Sequence, residues 1–279
     1  MASALVHVMA HVALKRAQDR SAFVWWMLLW GGVLYAPVLF LAHPAIPLGV
    51  WAIMAISAAF EAIYFLAIAR AYRLGDLSLV YPLARGTAPL LLLLWTTLFL
   101  SDHITPAGVG GIALIAAGLY IINLPRLGAW LGPLRSLAQP APQAALLAGL
   151  CISLYTFVDR TGVKYLDPLL YTYLVIILTL LLMTPLVLRR AGWHGLRQEL
   201  VSSRLGSVLA GFTTLAAYAI VLYTIRAGTP ASYAGAVREI SVVFGTLIGI
   251  VFLHEKGSRA RIVGAVCVVA GVALIALLA

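Results

Sequence analysis

The chain has 279 residues, of which 63% are hydrophobic and only 10% charged, with a mean hydropathy of +1.03. Soluble domains carry about 25% charged residues, so a water-soluble fold is excluded and an all-α integral membrane protein is expected. The formal charge of +10 does not point to nucleic acid, because the Lys and Arg side chains are scattered through short connections and not gathered on one face.

A membrane-crossing helix needs roughly 20 predominantly apolar residues. Apolar runs separated by charged or Pro/Gly-rich breaks predict ten such helices, beginning with Ala2 to Leu14. That first run is short, at about 1.5 Å per residue, for a hydrocarbon core of about 30 Å. Two readings stay open: the chain starts upstream of Met1, or the first helix is partly interfacial. Phe23 to Phe40, Val50 to Ala69, Ser78 to Leu100 and Pro106 to Ile122 follow. Leu124 to Pro142, with four prolines, reads as a linker. Gln143 to Val163, Leu169 to Leu188, Ser207 to Ile225, Tyr233 to Leu253 and Arg259 to Leu277 complete the set. Residues 1–124 and 143–279 are therefore taken as two five-helix units joined by 125–142. Cys151 and Cys267 lie inside apolar runs without disulfide or metal spacing. No cleavable leader is expected, since Lys15, Arg16 and Arg20 follow the first apolar run instead of preceding it.

Sliding the sequence over itself by 153 residues superposes Arg73 on Arg226, Gly75 on Gly228, Arg85 on Arg238 and Phe99-Leu100 on Phe252-Leu253. In the same register Asp102 meets Glu255, Gly111 meets Gly264 and Gly118 meets Gly271. Apolar segments resemble one another by chance, but polar and glycine positions seldom align in register, so the chain reads as an internal duplication. Lys15, Arg16, Arg20, Arg70, Arg73, Arg126, Arg135, Arg189, Arg190, Arg197, Arg204, Lys256, Arg259 and Arg261 all fall after odd-numbered segments. The positive-inside rule assigns those connections to the cytoplasm, which puts both termini outside. An odd number of helices per unit then makes the two copies inverted relative to each other.

Glu61, Arg85, Asp159, Arg238 and Glu239 fall within or at the edge of predicted spans. Charged groups there are costly and should face protein or water. Inversion brings Arg85 and Arg238 toward one pseudo-twofold axis, where two planar guanidinium forks suit an anionic solute. The plainer alternative is that Arg85 pairs permanently with Glu61 or Asp159, and Arg238 with a neighbouring acid. Glu61, Asp159 and Glu239 are candidates for a proton-coupling site, because a desolvated carboxyl favours its neutral form; the alternative is that they only neutralise the arginines. Tyr81-Pro82 is expected to interrupt the fourth helix near Arg85, and Thr229-Pro230 precedes the matching ninth. Gly245 and Gly249, and the pairs Gly111/Gly118 and Gly264/Gly271, suit close helix packing. Tyr64, Tyr155, Tyr218 and Trp95 are candidate pore-lining aromatics, with packing as the alternative. Enzyme signatures are missing: no HExxH, phosphate loop or nucleophile elbow occurs. His7 and His11 stand one turn apart, a weak basis for a metal site without further ligands, and no cofactor is expected.

Arg70-Ala71-Tyr72-Arg73-Leu74-Gly75-Asp76, running on through Val80-Tyr81-Pro82-Leu83-Ala84-Arg85-Gly86, resembles the third-to-fourth helix segment of the drug/metabolite transporter superfamily, in particular its EamA group of ten-helix permeases. Tyr155-Thr156-Phe157-Val158-Asp159-Arg160 with Gly162-Val163 is similar to the sixth helix of that group, and Phe252-Leu253-His254-Glu255-Lys256 to the acidic end of its ninth. The resemblance implies an inverted-repeat fold, a central cavity lined from both halves and transport by alternating access. Its cargo range, from amino acids and drugs to nucleotide sugars and organophosphates, selects no solute. His7 to Lys15 departs from the group's opening pattern, with Ala10 and His11 in place of Trp and Asn, and Asp102 stands where Glu is usual. Ten-helix members are usually drawn with both ends in the cytoplasm, opposite to the basic-loop count.

The expectation from the sequence is thus a bacterial inner-membrane secondary transporter. It takes a small, anionic metabolite at Arg85 and Arg238, with Tyr81 and Tyr155 as further substrate contacts, and protons as the candidate coupling ion. A membrane enzyme acting on a lipid-linked phosphate and an accessory subunit without cargo are the alternatives.

Overall fold

The computed structural model describes residues 13–41, 46–75, 77–99, 105–122, 124, 130, 137–241, 243 and 259–278. Most of the first apolar run with His7 and His11, the acidic and basic positions Asp102, Arg126, Arg135, Glu255 and Lys256, and the Gly245/Gly249 pair lie outside the described residues. The described residues form helices and no strands: α1 (Arg20–Tyr35), α2 (Val38–Leu41), α3 (Leu48–Leu74), α4 (Leu77–Phe99), α5 (Pro106–Ile122), α6 (Pro140–Gly162), α7 (Pro168–Arg226), α8 (Ala231–Arg238) and α9 (Arg259–Leu278).

Local chemistry sets several boundaries. Asp19 caps α1, its carboxylate accepting from the Ser21 and Ala22 N–H groups at 2.8 and 3.1 Å. Pro37 follows the C-cap Ala36 and separates α1 from α2 within the second predicted segment. Asp167 caps α7 by accepting from the Leu169 N–H at 2.9 Å, and Pro168 opens the helix where a missing N–H is harmless. α6 likewise starts on Pro140.

Two expectations are corrected. The connection between the seventh and eighth segments, read as a basic loop, is largely helical. α7 is kinked there: its backbone leaves helical geometry at Gly192, where φ is 64°, and again at Ser203, with a short helical stretch between them. Leu196 and Glu199, three residues apart, turn inward there and are buried, which gives this stretch the inward face of an amphipathic helix. The expected break at Tyr81-Pro82 is also absent from α4, which runs unbroken from Leu77 to Phe99. The interruption falls in the other half, where α8 ends at Arg238 and Glu239 forms a turn, its N–H bonded back to the Ala236 carbonyl at 3.0 Å.

Four of the helices or merged helices, α3, α6, α7 and α9, together with the α1–α2 stretch Arg20–Phe40, are long and apolar enough to cross a membrane. Their outer faces carry exposed Phe40, Ile56, Ile63, Leu147, Leu181, Ile220, Ile262 and Val266, the surface expected where lipid replaces water. α1 packs along α7, α3 and α4 along α6, and α5 along α9. The α5–α9 seam is antiparallel and built on glycine. A Cβ placed on Gly118 would stand 2.6 Å from the Gly264 carbonyl oxygen, and one on Gly111 would stand 2.9 Å from that of Gly271. No residue with a side chain fits such an approach, which is how backbones come into direct contact inside a bilayer. In the duplication register the Gly111–Gly271 contact maps onto the Gly264–Gly118 contact.

At one end of the bundle the connections after the first, third and seventh predicted segments meet. The Lys15 ammonium donates to the Tyr72 and Gly75 carbonyls at 2.9 and 2.6 Å. The Asp19 N–H donates to Glu199 Oε2 at 2.8 Å, and the Trp26 indole N–H to the Leu196 carbonyl at 2.8 Å. At the other end the Tyr233 hydroxyl accepts from the Thr105 N–H at 3.0 Å, and the Arg226 guanidinium donates to the Leu166 carbonyl at 3.1 Å.

Candidate functional site

Between the two halves lies a cavity of about 50 Å³, room for a few water molecules at roughly 10–15 Å³ each. Its walls come from α3 (Glu61, Tyr64, Phe65), α4 (Arg85), α6 (Ile152, Tyr155), α7 (Thr214, Ala217, Tyr218) and the end of α8 (Arg238), with Leu14 and Met27 closing it. Metabolite pockets span about 300–1,000 Å³, so in this conformation the cavity is too small to enclose a metabolite.

The cavity has two poles. At the basic pole Glu239 Oε1 stands 3.4 Å from Arg85 Nη1 and 3.9 Å from Arg238 Nε. One carboxylate oxygen thus serves two guanidinium groups, and both distances exceed the 2.7–2.9 Å of a tight charge-assisted bond. Arg85 and Glu239 are buried and Arg238 largely so. Among the described residues Glu239 Oε2 and the Nε groups of both arginines have no hydrogen-bond partner. Tyr81, which does not line the cavity, lies under the Arg85 guanidinium with its ring centroid 5.5 Å away, and its hydroxyl is 3.1 Å from the Ser241 Oγ.

At the acidic pole Glu61 Oε2 accepts from the Thr179 hydroxyl at 2.8 Å. Asp159 sits behind the wall, wholly buried, accepting from the Tyr171 hydroxyl at 2.7 Å and from that of Tyr218. Tyr155 joins the poles, its ring edge-on to Tyr64 at 6.1 Å and to Tyr218 at 5.7 Å.

The structure thus brings Arg85, Arg238, Tyr155, Glu61, Tyr64 and Tyr218 onto one wall system, and puts Tyr81, Asp159 and Glu239 directly behind it. The buried partner of Arg85 is Glu239, and neither Glu61 nor Asp159. Trp95 lies elsewhere, donating to the Ser153 hydroxyl at 3.1 Å. Thr179 and Tyr171, which fix the acids, escaped the sequence reading; the signal was a lone hydroxyl in the run Leu178-Thr179-Leu180 and a tyrosine twelve residues beyond Asp159. Among the described residues no group of three or more His, Cys, Asp or Glu is placed to hold a metal ion.

Comparison with known proteins identifies the family. A model of the EamA-like transporter family matches residues 1–124 and again 140–277. No curated protein matches the chain. A solved structure described only as "Crystal structure of protein" aligns over 100% of this chain and 96% of its own, at a TM-score of 0.68 and 18% identity. That likeness speaks for the fold alone. The family model covers nearly the entire length in two blocks, and its members are membrane transporters and not enzymes. The chain belongs to the EamA-like transporter family, within the drug/metabolite transporter superfamily.

Proposed function

We propose that this transporter is a secondary carrier of a small metabolite bearing an anionic group, working by alternating access between two inverted five-helix units, 1–124 and 143–279. One observation carries the reading: Arg85 and Arg238, equivalent in the duplication register, both line the same cavity. Helices meeting antiparallel through register-related glycines, as α5 and α9 do, support the inverted arrangement. The cavity enlarges as one unit rocks against the other, exposing the arginines first to one side of the membrane and then to the other. Tyr81 holds the Arg85 fork in place from behind, while Tyr155 lines the path of the solute's apolar body.

Glu61, Asp159 and Glu239 are the candidate proton carriers. The basic residues gathered at the end holding Lys15, Tyr72 and Glu199 support a cytoplasmic position for that end and outward-facing termini, in a bacterial inner membrane. A cytoplasm-dependent reporter fused to Ala279 tests the orientation, and activity of that reporter would overturn it.

The functional test is uptake into proteoliposomes. Arg85→Ala and Arg238→Ala are each expected to abolish saturable transport of anionic solutes while leaving a monodisperse protein. Full transport in both variants would remove the anion site. A transport rate indifferent to a collapsed proton gradient would remove proton coupling while leaving the anion site intact.

A further inference from the structure

We propose that Glu239 is the residue that selects the charge of the solute, admitting singly charged anionic groups and rejecting doubly charged ones. The inference rests on the anion-site reading above and deepens it. At the basic pole two guanidinium groups share one carboxylate, so the cluster holds a single net positive charge. Among the described residues Glu239 is the sole acid within ion-pair distance of either guanidinium. A monoanion arriving from the cavity completes the balance. A dianion overshoots it and meets Glu239 as a like charge in a low-dielectric interior, where such juxtaposition is heavily disfavoured.

Three features set Glu239 apart from a residue that only neutralises the arginines. It stands behind the guanidinium groups, off the cavity wall, so it tunes their charge without occupying the solute's place. It engages them weakly, through one oxygen at 3.4 and 3.9 Å, and among the described residues neither arginine's Nε makes a hydrogen bond. Guanidinium groups carry five N–H donors each, so most of that capacity remains for a ligand. Finally, the acid has no counterpart in the other half. The arginines match in the duplication register, but Glu239 falls on Gly86, so symmetry supplies two positive charges and Glu239 alone reduces them to one.

The test compares butyrate with succinate, four-carbon acids differing by one carboxylate, as ligands that raise the thermal stability of the detergent-purified full chain at neutral pH. Wild-type protein is expected to half-saturate with butyrate at about tenfold lower concentration than with succinate or better. Glu239→Gln raises the cluster to two net charges and is expected to reverse that order. Glu239→Asp keeps the single net charge and is expected to retain the wild-type order. A purely structural Glu239 changes the baseline melting temperature without altering the ratio, so an unchanged ratio in a monodisperse Glu239→Gln protein overturns the proposal. If that variant aggregates, Glu239→Asn takes its place, and an unchanged ratio there overturns the proposal equally. Saturable binding of both acids by wild type with succinate preferred sinks the charge selection but keeps the anion site. Binding of neither acid by any of the proteins sinks both.

Discussion

Substituting Gly264 with alanine probes the seam that holds α5 to α9. The new Cβ would lie 2.5 Å from the Gly118 carbonyl oxygen and 2.7 Å from the Ile122 nitrogen. Both obstacles are backbone, so no rotamer change relieves them. Restoring an ordinary contact of 3.4 Å moves the helices apart by about 0.9 Å, and a gap of 0.5–1 Å forfeits a quarter to a half of each dispersion contact it opens. Overpacking of this kind costs about 1–3 kcal/mol. On the soluble-protein scale of 2–4 °C per kcal/mol, a value of about 2 kcal/mol lowers the melting temperature by roughly 4–8 °C. The assay is thermal unfolding of purified protein followed by size-exclusion chromatography, with Gly49→Ala as control, since nothing stands within 4 Å of a Cβ there. Neither α5 nor α9 contributes a side chain to the central cavity, so KM should be unchanged in Gly264→Ala even as stability falls. Equal melting temperatures for the two variants would refute the claim that backbone contact closes this seam.

Other substitutions separate the cavity from its supports. Thr179→Val deletes the hydroxyl donated to Glu61 and is expected to cost about 1–3 kcal/mol and to slow uptake, measured as melting temperature and proteoliposome flux. Tyr171→Phe and Tyr218→Phe each remove a donor to Asp159, at a similar cost of about 1–3 kcal/mol. Only Tyr218 lines the cavity, so a flux loss is expected chiefly there; the two variants behaving alike in transport would contradict the assignment of Tyr171 to support. Trp95→Phe loses the hydrogen bond to Ser153 and is expected to destabilise by about 1 kcal/mol with unaltered KM.

Segments and glycine contacts were readable in the sequence because a bilayer imposes simple rules on both. A span must be apolar for its whole length, so Pro106 to Ile122 was bounded to the residue at both ends, and register-matched glycines marked where backbones meet. The α7 connection was misread because its arginines looked like loop punctuation, while the inward pair Leu196 and Glu199 carried too short a periodic signal to argue for a helix. Proline at position 82 suggested a break that did not occur in α4, since a helix buried among others can re-satisfy a freed carbonyl. Arg85 and Arg238 could be paired through the duplication register alone. Their sharing of Glu239 could not, because that acid breaks the repeat and its geometry depends on a turn at the end of α8 that no local residue pattern announces.

The two kinks in α7 bear on how motion travels. Two membrane spans tied by a floppy tether can shift independently, whereas spans welded to a stiff bar pivot only at its ends, here Gly192 and Ser203. The short helical stretch between those two breaks sets the spacing between the span that carries Thr179 and the span that carries Tyr218. Inserting flexible residues beside Gly192 would cut that mechanical link without touching the cavity wall.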